Sequence, residues 1–365
     1  MIARAERVLL PEGVLEDGVV EHDAGRVVDV RPARSGDPAP HAEWIVPGTV
    51  NAHLHLELSW AAGQVPGGRG LADWVIRLRG LEAPSPPEVE EAARRAAQRM
   101  ADGGTVLACD VSNIGATAAA LASAGLQGIV QHEVLGLGRE RQAALRAADA
   151  PLSFVADGIA VRPSPHATYS TAPDVIVAAA APRGRVPATI HVAEDRDEER
   201  FLTDGTGSFA ALLDRFGVDW RWFPPPRVSP TRWLDDLGVL GPGLVVVHAV
   251  HVGAEDRRRL AARGSPVCLC ARSNLHIGGE LPDVPALLDA GVKVCLGTDS
   301  LASSPTLDVL DEVTVLRRAF PEIADERWLR MATEGGADAL GRGDLGRLEV
   351  GARCGAVAVT FGTAG

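Results

Sequence analysis

In VPGTVNAHLHLELSW, residues 46–60, His53 and His55 stand one residue apart at the end of an apolar run, with Glu57 two positions further on. Side chains alternate faces along a strand, so the two imidazoles point the same way and could grip one metal ion. An H-x-H pair alone is a weak signal; the ends of the other apolar runs strengthen it. TIHVAED supplies His191 with Glu194 three residues on, and CLGTDSLASS supplies Asp299 after a glycine. LVVVHAVHV supplies His248 and His251; strand parity lets one of them face inward, and His248 ends the apolar run. Four runs therefore terminate in metal-ligating or proton-transferring residues, which points to a metal centre.

The elements that must position these residues are short β-like runs, each followed by a longer amphipathic or Ala-rich segment. The runs are IVPGTVNAHLHL, TVLACDV, GLQGIVQHEVL, GIAVRPSPH, VPATIHVAE, LVVVHAV, PVCLCAR and VKVCLGTDS, eight in all. PPEVEEAARRAAQRMADGG has acidic residues early, arginines late and glycine at its end, as a helix favours. Eight alternating units predict an α/β fold, a (β/α)8 TIM barrel over residues 48–344. Residues 1–47 and 345–365 carry β-prone runs and turn signals with no helix. They predict a small, β-sandwich-like composite domain built from both ends of the chain. Segment 218–243 holds three of the seven tryptophans and a proline cluster, readable as a lid or as a rigid surface loop.

The 365 residues carry a net charge of −12, which disfavours an extended phosphate-binding surface and hence a nucleic-acid partner. No run reads as a signal peptide or a membrane span, so a cytoplasmic protein with no membrane partner is expected. Five scattered cysteines, Cys109, Cys268, Cys270, Cys295 and Cys354, read as buried thiols rather than a disulfide framework. Lys293 is the single lysine among 36 basic residues.

The order PGTVNAHLHLELS, HVAE, HAV, GTDSLAS, over about residues 46–305, resembles the amidohydrolase superfamily in its mononuclear deaminase branch. HLHLELS, SPHATYS, RSNL and GTDSLAS are most similar to aminodeoxyfutalosine deaminases of menaquinone synthesis. The resemblance implies His53, His55, His191 and Asp299 as metal ligands, and Glu194 and His248 as proton-transfer and water-positioning residues. It also implies a mononuclear centre. Two-metal members usually carry a carboxylated lysine near the end of strand four, whereas Lys293 opens the eighth run.

Three imidazoles and one carboxylate suit a catalytic divalent ion, which lowers the pKa of bound water to about 7. Zinc is expected, with iron and manganese as alternatives. Deaminating a purine-like ring requires hydroxide at the ring carbon, a proton on the adjacent nitrogen and a proton for departing ammonia. Asp299 can take the water's proton, Glu194 can protonate the ring, and His248 can steady the hydroxide.

For the substrate, the resemblance implies a base or ribose contact from His166, beside Tyr169, the single tyrosine. Glu57 is expected to meet the sugar or to orient a ligand histidine. Arg272, Asn274, Ser300 and Ser303 follow strand ends and should face the same mouth. Arg139 or Arg272 could hold a substrate carboxylate. His22, His41, His132 and His276 read as structural or solvated, with His132, next to Glu133, the leading exception. The reaction expected is conversion of 6-amino-6-deoxyfutalosine to futalosine. Adenosine, 5'-methylthioadenosine or S-adenosylhomocysteine are alternative substrates, and triazine or cyclic-amide hydrolysis an alternative chemistry. A non-catalytic binding protein would be expected to lack at least one of the reactive residues. A homodimer is a habit of the superfamily.

Overall fold

The computed structural model describes residues 2–23, 26–156, 158–352 and 355–361; Cys354 lies outside them. Four strands open the chain: β1 (Ile2–Leu10), β2 (Gly13–Asp23), β3 (Arg26–Pro32) and β4 (Ala42–Pro47). The run read from the sequence as one strand, IVPGTVNAHLHL, is split at Gly48, and β5 (Thr49–Leu54) begins a different sheet. Then follow β6 (Thr105–Val111), β7 (Gln127–Val134), β8 (Ser153–Ala156), β9 (Ile159–Pro165), β10 (Ala188–Val192), β11 (Leu244–His248), β12 (Val267–Leu269), β13 (Val294–Leu296) and β14 (Ala356–Val359).

Strands β5, β6, β7 and β9 pair in parallel in chain order, and so do β10, β11, β12 and β13. β8, which the sequence did not suggest, forms an antiparallel edge on β9. Isolated parallel bridges, Ala167 to His191 and Leu54 to Asp299, join the two sheets at both margins. At one margin the His191 N–H donates to the His166 carbonyl; at the other, the Thr298 and Asp299 N–H groups share the His53 carbonyl. Four residues of the candidate site, His53, His166, His191 and Asp299, thus lie on the seams that hold the sheets together.

Helices cover the outer faces. Pro86–Asp102 starts where the sequence signals place it, since Ser85 and Glu88 form a capping box and Pro86 occupies the first turn. It buries Ala92, Ala93, Ala96, Ala97 and Met100. The described cysteines, Cys109, Cys268, Cys270 and Cys295, are buried and unbridged, and burial pushes the Cys109 and Cys270 thiols up to about 12.

The two ends of the chain meet in one five-stranded sheet of order β14-β4-β1-β2-β3. Val357 of β14 lies opposite Val46 of β4. Among the described residues no second sheet faces it, so the sandwich-like expectation reduces to a single sheet. One face packs on its own apolar cluster around Val8, Val20 and Ile45, while Leu9, Trp44 and Val46 join the main core.

The tryptophan and proline segment is packed in place. Trp220 meets Phe201 edge-on at 5.1 Å, and Trp222 Nε1 donates to the Leu137 carbonyl at 2.8 Å. No described helix is long and apolar enough to cross a membrane.

Candidate active site

At the ends of β10, β11 and β13 the chain leaves regular strand geometry. Ala193, His248, Ala249 and Asp299 have φ of 52°, 73°, 51° and 57°. Non-glycine residues rarely adopt this left-handed region, at a cost of roughly 1–3 kcal/mol each, and such strain clusters at functional sites. The bend at His248 also suspends the strand-parity rule used to choose between His248 and His251. Gly297 permits the close approach of β13 to β5: a Cβ there would lie 2.7 Å from the His53 carbonyl oxygen and 2.8 Å from Cys268 Sγ. That contact brings Asp299 to His55.

The structure gathers His53, His55, His191, Glu194, His248 and Asp299 at one point. His53 Nε2 and His191 Nε2 are 3.3 Å apart. His55 Nε2 lies 3.6 Å from Asp299 Oδ1, and His248 Nε2 lies 3.4 Å from Glu194 Oε2. A cavity of about 210 Å³ opens onto all of these but the fully buried His53, and is also lined by Glu57, Trp74, Glu133, His166 and Tyr169.

Burial, reinforced by neighbouring imidazoles, holds His53 well below the usual histidine range and His191 at about 3. Burial likewise lowers His248 to about 4 and His166 to about 3. These rings are neutral and present lone pairs. His191 Nδ1 donates to the His166 carbonyl at 2.9 Å, so its lone pair is on Nε2, facing His53. Burial would raise Asp299, but the facing imidazoles of His55 and His248 and a hydrogen bond from Ser273 hold it below the usual carboxylate value. Glu194 is pushed well above it, first by burial and then by Asp299, Glu198 and Asp195.

His53, His55 and His191 bring ligand atoms within 4.8 Å of one another, Glu194, His248 and Asp299 form a second such group, and His55 joins the two at 3.6 Å from Asp299; three imidazoles with an adjoining carboxylate fit one divalent cation. Ser273 Oγ donates to Asp299 Oδ2 at 2.5 Å, with Ser303 Oγ at 3.3 Å from the same oxygen. Lys293 immediately precedes β13, at the strand end opposite Asp299, and does not line this cavity.

Several sequence expectations are corrected. Arg272 does not reach the cavity. The helix Ala271–Ile277 starts directly after β12 and turns its guanidinium onto Thr306 and Asp311, at 2.9 and 2.8 Å. Arg139 is exposed and does not line the cavity. Ser300 is fully buried in the turn after β13, where its N–H donates to Asp299 Oδ1 at 2.8 Å. Asn274 sits behind His248, 3.0 Å from its Nδ1. Glu57 faces the cavity, and its Oε2 accepts from Ser112 Oγ and the Asn113 N–H at 2.9 and 2.7 Å. Tyr169 also lines the cavity, stacked on Phe209 at 3.9 Å.

On β7, Glu133 is the inward residue and His132 is exposed, the reverse of the exception expected. Sequence reasoning gave no role to Ser273 or Trp74 and reached Glu133 only as the companion of His132. Alternation along QGIVQHEV carried the signal for Glu133 and the RSNL motif that for Ser273; Trp74 comes from a helix with no strand-end pattern.

The amidohydrolase family model matches residues 44–362. The chain belongs to the amidohydrolase family. It is 30% identical to a 5-methylthioadenosine/S-adenosylhomocysteine deaminase of Halobacterium salinarum, over 97% of this chain and 82% of that protein. To an aminodeoxyfutalosine deaminase of Deinococcus radiodurans it is 32% identical, over 81% of this chain and 73% of that protein. Among solved structures, a zinc-bound adenosine deaminase of Xanthomonas campestris superposes with TM-score 0.73 at 25% identity, covering 99% of this chain and 85% of that one. The Helicobacter pylori aminofutalosine deaminase in complex with methylthio-coformycin reaches TM-score 0.78 at 21% identity, covering 99% and 92%, a likeness of fold.

Proposed function

We propose that the protein is a hydrolytic deaminase of an aminated purine nucleoside, with 6-amino-6-deoxyfutalosine as substrate and futalosine and ammonia as products, within menaquinone biosynthesis. We read its architecture as a (β/α)8 barrel over 48–344 with a small β domain from 1–47 and 345–365. The observation that carries the chemistry is the opposition of two carboxyl groups in one cavity. Burial pushes the Glu194 carboxyl well above the usual carboxylate value, while against burial the neighbouring imidazoles and the Ser273 hydroxyl hold Asp299 below it.

His53, His55, His191 and Asp299 would hold one divalent ion, zinc before iron or manganese. When bound, it would acidify a water and supply positive charge to the developing oxyanion. The carboxylate of Asp299, oriented by Ser273, accepts the proton of the attacking water and passes it to the leaving amine. Glu194 donates its proton to the ring nitrogen next to the attacked carbon and regains one from the added hydroxyl as the C–N bond breaks and the carbonyl forms. His248, with its proton on Nε2, donates a hydrogen bond to the incoming oxygen.

An outer opening of about 670 Å³ adjoins the cavity, with Glu194 in the wall of both. Its acidic groups are engaged: Asp73 with Arg77, Asp197 with Arg200, Glu280 with Arg196, and Asp195 with the Leu71 and Asp197 N–H groups. Among the described residues Arg69 and Arg215 line it without an ion pair. Two cations without an ion pair, beside the hydrogen-bonded carboxylate of Asp195, favour a substrate whose 5' side carries an anion, as aminodeoxyfutalosine does.

The test is ammonia release by metal-loaded protein from aminodeoxyfutalosine, adenosine, methylthioadenosine, adenosylhomocysteine, guanine and cytosine. Preference for aminodeoxyfutalosine is expected. Silence on all six, with metal bound, would overturn the purine reading in favour of triazines or cyclic amides.

A further inference from the structure

Glu194 stands on a strained turn that other parts of the chain hold in shape. Val192 closes β10, and Ala193 follows it with φ of 52°. The carbonyls of this turn are taken by the neighbouring strand end, since the Ala249 N–H donates to Val192 and the His251 N–H to Ala193, at 3.0 and 2.9 Å. Its amides face a side chain instead. The Ala193 N–H donates to Glu198 Oε2 at 2.5 Å, and the Glu194 N–H is a second backbone donor to the same carboxyl. The other oxygen, Oε1, accepts from the hydroxyl of Thr168, which lies in the turn after β9.

Glu198 is 1% exposed and belongs to the helix Arg196–Asp204, whose N-cap is Asp195. It occupies the third helical position, from which the glutamate of a capping box reaches back to the amide of the N-cap itself. Here it reaches further, to the two residues before the N-cap, while the Asp195 side chain takes the Asp197 N–H. Burial opposes ionisation and pushes Glu198 up to about 7. Its donors offset part of that cost, and what they fix is a backbone conformation that alanine rarely adopts. Glu198 lines neither the reaction cavity nor the outer opening, so it acts through the turn and not on the substrate.

We propose that Glu198 is a positioning residue for the proton donor of the reaction: anchored by Thr168, its carboxyl holds the amides of the Ala193–Glu194 turn and so sets the direction in which Glu194 presents its proton. The inference rests on the deaminase reading, in which Glu194 is the acid. Without this clamp the turn is free to relax towards extended backbone and to swing Glu194 away from His248. His191, three residues back, stays in register opposite Val247 of β11.

The experiment measures kcat, KM, bound metal and Tm for Glu198→Ala, Glu198→Gln and Thr168→Val, each in the wild type and in Glu194→Gln, on the nucleoside of the six that wild type turns over fastest. In the wild-type background Glu198→Ala should lower kcat by about 10–100-fold, as a misplacement of roughly 1 Å does, with KM and metal content little changed. Glu198→Gln should recover most of that loss, because its amide oxygen can accept from the Ala193 N–H while its NH2 donates to the Thr168 hydroxyl. Thr168→Val removes only the anchor and should lose less than Glu198→Ala; it carries the same comparison if Glu198→Ala does not fold. In Glu194→Gln, where the acid is already gone, none of the three should lower kcat further. The same factor lost in both backgrounds, a fall in Tm with kcat unchanged, a Glu198→Gln as slow as Glu198→Ala, or loss of metal would overturn the positioning role while the deaminase reading stands. A wild type that releases ammonia from none of the six would overturn the role together with that reading.

Discussion

Asn274 Nδ2 lies 3.0 Å from His248 Nδ1. An amide nitrogen can only donate, so Nδ1 accepts and the imidazole proton resides on Nε2, directed at Glu194 Oε2 3.4 Å away. A residue expected from the sequence to touch substrate instead selects the tautomer of one that would.

Asn274→Asp should reverse that selection, because a carboxylate draws the proton to Nδ1 and leaves Nε2 a bare acceptor. We expect kcat to fall by about 10²–10⁴-fold, the range for losing a positioned proton donor, with metal content retained. Asn274→Ala should lose less. Steady-state kinetics with metal analysis separate these outcomes, and an unchanged kcat in Asn274→Asp would remove His248 from the reaction.

The raised pKa of Glu194 sets the sign of a pH effect. The protonated form is the acid, so turnover should fall as pH rises through the pKa of Glu194 in the substrate complex. Glu194→Gln should abolish that alkaline limb and reduce kcat by about 10²–10⁴-fold while keeping metal. Loss of metal from this variant would recast Glu194 as a ligand.

Ser273 provides a finer test of Asp299. Its hydroxyl is one of the groups lowering the Asp299 pKa, so Ser273→Ala should raise that pKa and move the acid limb of kcat/KM to higher pH. Asp299→Asn should leave the fold intact by circular dichroism, weaken metal retention and abolish ammonia release. Retained turnover would exclude Asp299 as the base.

Arg69 and Arg215 should discriminate among substrates rather than affect chemistry. Reversing either charge to Glu should lower kcat/KM several-fold for a nucleoside with an anionic 5' substituent and leave adenosine unaffected. The effect should shrink with added salt, since exposed charges are screened over about 10 Å at 0.1 M ionic strength. Equal effects on both substrates would exclude an anion-binding role.

The chain order of its motifs was enough to identify His53, His55, His191 and Asp299 as one constellation, because parallel strands that follow one another in a sheet present their carboxyl ends together. The same regularity exposed eight strands and the helix Pro86–Asp102 with its caps. Tertiary structure decided what regularity does not reach. His248 faces the site with φ of 73°, where strand alternation no longer applies. Glu133 rather than His132 points inward because the pairing of β7 with β6 and β9 sets which parity of its side chains faces the cavity. Arg272 is drawn away by Asp311, 39 positions along the chain, and Asn274 is aimed at His248 by a helix that begins at the strand end. A periodic pattern records which face of an element is apolar; partners distant in the chain are chosen by packing, and no local spacing encodes them.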